Sequence, residues 1–257
     1  MEKSIQELLF MTNSQNEEFD SVAYAKEQDE TTRMIFNEFK RQQELTRKVN
    51  LLNTLRKNSL LGEKYSSCSF ENTEIVSAEF EKVLNRCEMY CRVADEVLSR
   101  GLGIYIYGSS CGSGKTHLTA CICNELLNQY HECMFTSITD MSKKIMSTFS
   151  GKGDTEAVVK LYADVDFLFL DDVGVEAVKK NDGDNWLQQQ IYEIINLRYS
   201  NLKPTIFTSN YSISELIEKR GLWERTVDRI AEMSSVIMRL EGDSYRLKKR
   251  KTNSVPF

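Results

Sequence analysis

The segment Gly108-Ser-Ser-Cys-Gly112-Ser-Gly114-Lys115-Thr116 constrains this chain more than any other. It follows a short apolar run, Gly103 to Tyr107 (GIYIY), that reads as a strand, and it leads into Thr116 to Tyr130, which has the length and composition of a helix. Glycines let consecutive backbone N–H groups converge on phosphate oxygens, and the following helix N-terminus adds positive potential. In that setting Lys115 is expected to reach the β/γ-phosphates of ATP, and the Thr116 hydroxyl to help hold Mg²⁺.

The nucleotide-binding residues expected from this Walker A loop are Gly108, Ser109, Cys111, Gly112, Ser113, Gly114, Lys115, Thr116 and His117. The strict pattern wants glycine six residues before Lys115, and Ser109 stands there with Gly108 one place earlier. Either the loop is one residue longer or serine substitutes.

A second apolar run, Phe167-Leu-Phe-Leu170, ends on Asp171 and Asp172, as a Walker B strand does. Asp171 is the expected Mg²⁺ partner of Thr116, and Asp172 stands where ATPases that this strand resembles usually place a glutamate to orient the attacking water. A third run, Thr205-Ile-Phe-Thr-Ser-Asn210, ends on an amide able to reach both a γ-phosphate and a water. Arg225, Arg229 and Arg246 are the further catalytic candidates, because a guanidinium fork spreads charge over several phosphoryl oxygens.

With Cys133 to Ser137, Val165 to Leu170, Thr205 to Thr208 and Val236 to Leu240 as further strands between helical-length segments, the pattern is α/β with a mainly parallel sheet. Upstream, apolar residues recur at near-helical spacing from Met34 to Leu55, which predicts an N-terminal helical module. Gly62 and the polar stretch Lys64 to Asn72 read as a linker, and Val76 to Leu98 as one long helix or a broken pair. The expected division is therefore an N-terminal helical, partner-binding module over residues 1–60 and an ATPase domain over 61–257.

The formal net charge of −5 argues against a surface that coats duplex DNA indiscriminately, so any nucleic-acid contact is expected to be local. Between the second and third strands, Lys143, Lys144, Phe149 and Lys152 surround a Ser/Gly-rich turn, a combination that can follow a single-stranded backbone while a base stacks on the ring. No apolar run approaches a membrane span and the first residues lack a basic leader, so a cytoplasmic protein is expected. Seven cysteines show neither a disulfide framework nor a CxxC knuckle. Cys87 and Cys91 would share a helix face and could recruit Cys68 to zinc, but with no nearby histidine as fourth ligand, free buried thiols are the expectation.

From about Leu60 to Leu247 the motifs resemble the DnaC/DnaI helicase-loader branch of the AAA+ ATPases: GSGKTHL at Gly112 to Leu118, FLDDVGVE at Phe169 to Glu176, IYEIINLRY at Ile191 to Tyr199, KPTIFTSN at Lys203 to Asn210 and DSYR at Asp243 to Arg246. The resemblance implies an AAA+ P-loop core with a five-stranded parallel sheet. It makes Asn210 the sensor 1 residue, Arg225 or Arg229 an arginine finger acting across a subunit boundary, and Arg246 sensor 2. It further implies loading of a DnaB-type replicative helicase, bound through the N-terminal region, onto single-stranded DNA, with the chain as a homo-oligomer on the helicase. IstB-like helpers of DNA transposases carry nearly the same motifs, and an ATP-binding adaptor with little hydrolysis is a third reading.

Overall fold

Side-chain alternation along each apolar run decides how the chain is layered. In the computed structural model, which describes residues 30–148, 153–174, 182–220 and 222–242, five strands form one parallel sheet: β1 (Gly103–Tyr107), β2 (Cys133–Ser137), β3 (Phe167–Val173), β4 (Thr205–Ser209) and β5 (Ser234–Arg239), in the order β2-β3-β4-β1-β5. Alternate residues face opposite sides. Ile104, Ile106, Phe135, Phe167, Phe169 and Ile206 enter one core, while Tyr105, Met134, Leu168, Leu170 and Phe207 enter the other. A sheet apolar on both faces must be covered on both, and helices do so.

One face carries α2 (Ala78–Arg92) and α4 (Lys115–Asn128), with α3 (Ala94–Arg100) beside α2. Against the other lie α5 (Ile138–Ser147), α6 (Thr155–Asp164), α7 (Asp182–Ser200), α8 (Ile213–Glu218) and α9 (Glu224–Met233). The stretch read as one helix or two is a pair, broken at Val93, whose φ of −113° and ψ of 31° leave the helical region. β3 runs three residues past Leu170, through both aspartates to Val173.

The stretch read as a linker is instead a packed strap. The Phe135 N–H donates to Ser59 O at 2.6 Å, and the Asn124 amide donates to Tyr65 O at 2.9 Å and Cys68 O at 2.8 Å. Tyr65 stacks near Phe135, and Leu61, Cys68 and Phe70 pack on the first core. Its polar composition suggested solvent, but the backbone carbonyls rather than the side chains make these contacts.

Arg198, in α7, is fully buried and is the hub of the second face. It donates to the carbonyls of Tyr162, Ala163, Val165, Asp166 and Pro204 and to Thr205 Oγ1. Burial pulls the guanidinium down to about 9, so it remains charged at neutral pH. One side chain thereby fixes the end of α6 and the starts of β3 and β4.

By its contacts the chain divides into two units, between Asn50 and Leu51. The described part of the first is the helical stretch from Glu30, within α1 (Glu30–Asn58), where Met34, Leu45 and Val49 are exposed. Among the described residues no helix is long and apolar enough to cross a membrane.

Candidate nucleotide-binding site

Parallel strands place all their C-terminal ends at one edge of the sheet, and turns there converge. Ser209 pairs with Tyr107 on one side and with Val173 on the other, so the loop after β1, the aspartates of β3 and Asn210 just beyond β4 emerge side by side.

The loop between β1 and α4 has Gly112 and Gly114 at positive φ, 85° and 102°, which aims successive backbone groups into a concave turn. Gly108 is needed for a different reason: a Cβ there would lie 2.0 Å from Leu240 O, inside the neighbouring strand's exit. Glycine sits at 108 because Leu240 crowds it, while Ser109 keeps an ordinary backbone and donates its hydroxyl toward the Glu241 carboxylate at 3.3 Å.

Lys115 is buried, and its Nζ donates to Gly108 O at 2.8 Å and Ser110 O at 3.0 Å, with Ser113 Oγ at 3.4 Å. The ammonium thus sits on the loop's own carbonyls. Burial lowers its pKa, opposed by the acidic groups of Cys111, Asp172, Asp171 and Glu241. Thr116 Oγ1 lies 3.1 Å from each carboxylate oxygen of Asp171. Burial raises the Asp171 carboxyl, partly offset by a hydrogen bond from Thr208, whose hydroxyl donates to Oδ1.

Asp172 is held in the left-handed region, at φ 58°, with its N–H donating to Thr208 Oγ1 at 2.9 Å. A non-glycine residue there is uncommon and persists where neighbours enforce it. Thr208 thus grips both aspartates. Nothing in its own residue type announces this; only its place on the adjacent strand does.

Of the expected loop residues, His117 is turned away toward the strap. Its Nε2 is 2.8 Å from Thr73 Oγ1 and its Nδ1 3.4 Å from Cys68 Sγ. The Thr73 hydroxyl proton goes to Ser69 O at 2.6 Å, so Nε2 carries the ring proton and Nδ1 accepts. Sequence distance hid this histidine from Cys68. Cys87 and Cys91 do share a face of α2, but it is buried in the core, and burial pushes the Cys87 thiol up to about 12. Among the described residues no group of three or more His, Cys, Asp or Glu side chains could hold a metal by themselves.

The two arginines of α9 differ. Arg229 is half-buried, ion-paired with Glu232 and stacked 4.4 Å from the Tyr199 ring. Arg225 is exposed, with its guanidinium over both Trp223 at 4.2 Å and Tyr192 at 4.4 Å, and it donates to Gln189 Oε1 at 2.7 Å. Lys143 and Lys144 are exposed on α5, and Lys143 pairs with Asp140 at 3.3 Å. Phe149, Lys152 and Arg246 lie outside the described residues.

Known proteins resemble this chain in sequence and in fold. The chain is 28% identical over 183 residues to the replicative helicase loader DnaC of Escherichia coli K12, covering 71% of this chain and 70% of that protein. To the replicative helicase loader DnaI of Bacillus subtilis 168 it is 27% identical over 193 residues, 67% of this chain and 60% of that one. The crystal structure of the DnaC helicase loader superposes with a TM-score of 0.60 at 23% identity, over 70% of this chain and all of that one, which establishes a common fold. The family model for IstB-like ATP-binding proteins matches residues 99–253, more than half of the chain and the whole of the sheet with the glycine-containing loop between β1 and α4, and the chain belongs to that family.

Proposed function

We propose that this chain is an ATP-dependent loader of a replicative DNA helicase onto single-stranded DNA, and that it hydrolyses ATP. What carries the reading is the likeness over 183 residues to the loader DnaC, in a chain whose Lys115, Thr116, Asp171 and Asp172 converge at one sheet edge.

The donor set fits MgATP. Two hard oxygen ligands, Thr116 Oγ1 and Asp171, already lie 3.1 Å apart, the carboxylate's charge held in a buried setting that a cation would relieve. Lys115, whose ammonium rests on two loop carbonyls, would give phosphate oxygens a cationic donor there. When bound, MgATP supplies the phosphoryl group and a cation that draws charge from it. The chain's own residues would do the rest: Asp172 would orient water from its left-handed backbone, Asn210, directly after β4, would serve the same edge of the sheet, and the loop amides would stabilise the anion.

Of the two α9 arginines, Arg225 is the better candidate to serve a neighbouring subunit: it is exposed and rests on two aromatic rings and a neutral amide rather than on a carboxylate. Arg229 is tied to Glu232. Residues 1–60 form the helicase-binding module in this reading, with the exposed apolar residues of α1 as the contact surface. Lys143 and Lys144, with Phe149 and Lys152, form the single-strand site, Arg246 acts as sensor 2, and the protein works in the cytoplasm as a homo-oligomer on the helicase.

The family match favours one rival, an ATPase helper of a DNA transposase. A pull-down separates the two. Immobilised protein is expected to retain the host or phage replicative helicase with ATP more than with ADP, and capture of a transposase in its place, with no helicase retained in either nucleotide, replaces the loader reading by the rival.

A further inference from the structure

Three consecutive residues beyond Asp171 are each fastened from outside their own strand. The Asp172 N–H is held by Thr208 Oγ1 and the Val173 carbonyl accepts from Ser209 Oγ at 2.6 Å, both from β4. The third fastening comes from elsewhere. Arg220, in the joint between α8 and α9, donates its Nε–H to Gly174 O, and its guanidinium lies 5.2 Å from the centre of the Tyr211 ring. Tyr211 directly follows Asn210 and is itself fixed at both ends of its backbone, its N–H by Ser209 Oγ at 3.0 Å and its carbonyl by the Tyr105 hydroxyl at 2.7 Å.

Arg220 therefore clasps the turn after β3 to the segment after β4. Gly174 has φ 89°, and a Cβ there would lie 2.7 Å from Leu216 Cδ2 and 3.3 Å from the Tyr211 ring, so glycine is what lets its carbonyl come under the guanidinium. Asp172, two residues earlier, occupies a conformation that an L-residue leaves when its surroundings permit. β4 hydroxyls hold one end of that strained stretch, and Arg220 holds the other.

We infer that Arg220 is a positioning residue for ATP hydrolysis, acting through Gly174 and Tyr211 to keep Asp172 and Asn210 in register with each other. This rests on the hydrolytic reading above. The contacts described for Arg220 go to Gly174 and Tyr211 rather than to the phosphate loop or the Thr116–Asp171 pair, so its loss should spare nucleotide binding and slow turnover.

The test compares wild type, Arg220→Ala and Arg220→Lys, with Lys115→Ala as the inactive control. It reads ATP affinity by titration, kcat and KM by phosphate release, melting temperature, and amide hydrogen exchange over residues 172–174. Arg220→Ala is expected to lower kcat by about tenfold, since small misplacements of an orienting group are costly, with ATP affinity within about twofold and melting little changed. Exchange at 172–174 should accelerate, and Arg220→Lys, which keeps a cationic donor, should recover part of both effects. Unchanged exchange in Arg220→Ala overturns the clasp, as does a loss of kcat that only parallels a loss of affinity or of melting temperature. A wild type no faster than Lys115→Ala would sink the hydrolytic reading and the catalytic role of Arg220 with it, whereas wild-type turnover matched by Arg220→Ala sinks the role of Arg220 alone.

Discussion

Thr116 and Asp171, separated by 55 residues in sequence, meet with the threonine hydroxyl 3.1 Å from both carboxylate oxygens. One comes from the first turn of α4 and the other from β3, so their meeting joins the two halves of the nucleotide site. If that pair is where Mg²⁺ binds, ATP affinity in the wild type rises with Mg²⁺, and Asp171→Asn removes most of that rise. Titration of ATP with and without Mg²⁺ measures it, and an equal Mg²⁺ effect in both proteins would move the cation elsewhere.

Asp172 makes a contrasting prediction. Its side chain is assigned to water rather than to the cation, so Asp172→Asn should bind ATP like wild type while turnover falls by about a hundredfold or more. Parallel loss of affinity and turnover would place Asp172 in the metal's coordination instead.

What was legible in the sequence divides along a physical line. Strands β1 and β2 were readable to the residue because apolar, β-rich runs bounded by turn residues encode themselves locally. The turn between β1 and α4 was readable because glycines at fixed spacing after an apolar run announce it locally. Thr208, Arg198 and Arg220 were not, because each acts on groups that only the fold brings near: Asp171 from a neighbouring strand, five carbonyls from α6 and the residues just before β3 and β4, and Gly174 from another loop. The packing of Lys64 to Asn72, which reads as a linker, was hidden for the same reason: the carbonyls of Tyr65 and Cys68, rather than polar side chains, hold it to Asn124.

Arg198 yields a stability prediction. Removing it as Arg198→Met strands its acceptors, among them the carbonyls of Tyr162, Val165 and Pro204, in a dry interior. A buried charged donor with its partners left unsatisfied is worth about 3–5 kcal/mol. Denaturant unfolding should show a loss of that order, with Arg198→Lys recovering only part because an ammonium cannot span so many acceptors. A loss under about 1 kcal/mol would mean that water replaces the guanidinium.

Arg225 and Arg229 make opposite predictions in mixed assemblies. Neither Arg225→Ala nor Lys115→Ala is expected to turn over ATP alone, but mixing them should restore some activity, since each lacks what the other supplies. Arg229→Ala, which loses its pairing with Glu232 and its contact with Tyr199, should mainly lower the melting temperature. Rescue with Arg229→Ala and none with Arg225→Ala would exchange the two assignments.

Loading itself can be counted. Replicative helicase is incubated with closed single-stranded DNA circles and this protein, and helicase molecules retained on the circles are measured with ATP for wild type and Lys115→Ala. A loader deposits helicase on the circles in the presence of wild type and ATP, well above the level reached by helicase alone, and Lys115→Ala leaves the count at that background. Equal deposition with and without the protein, at concentrations where it binds ATP, would contradict helicase loading as its function.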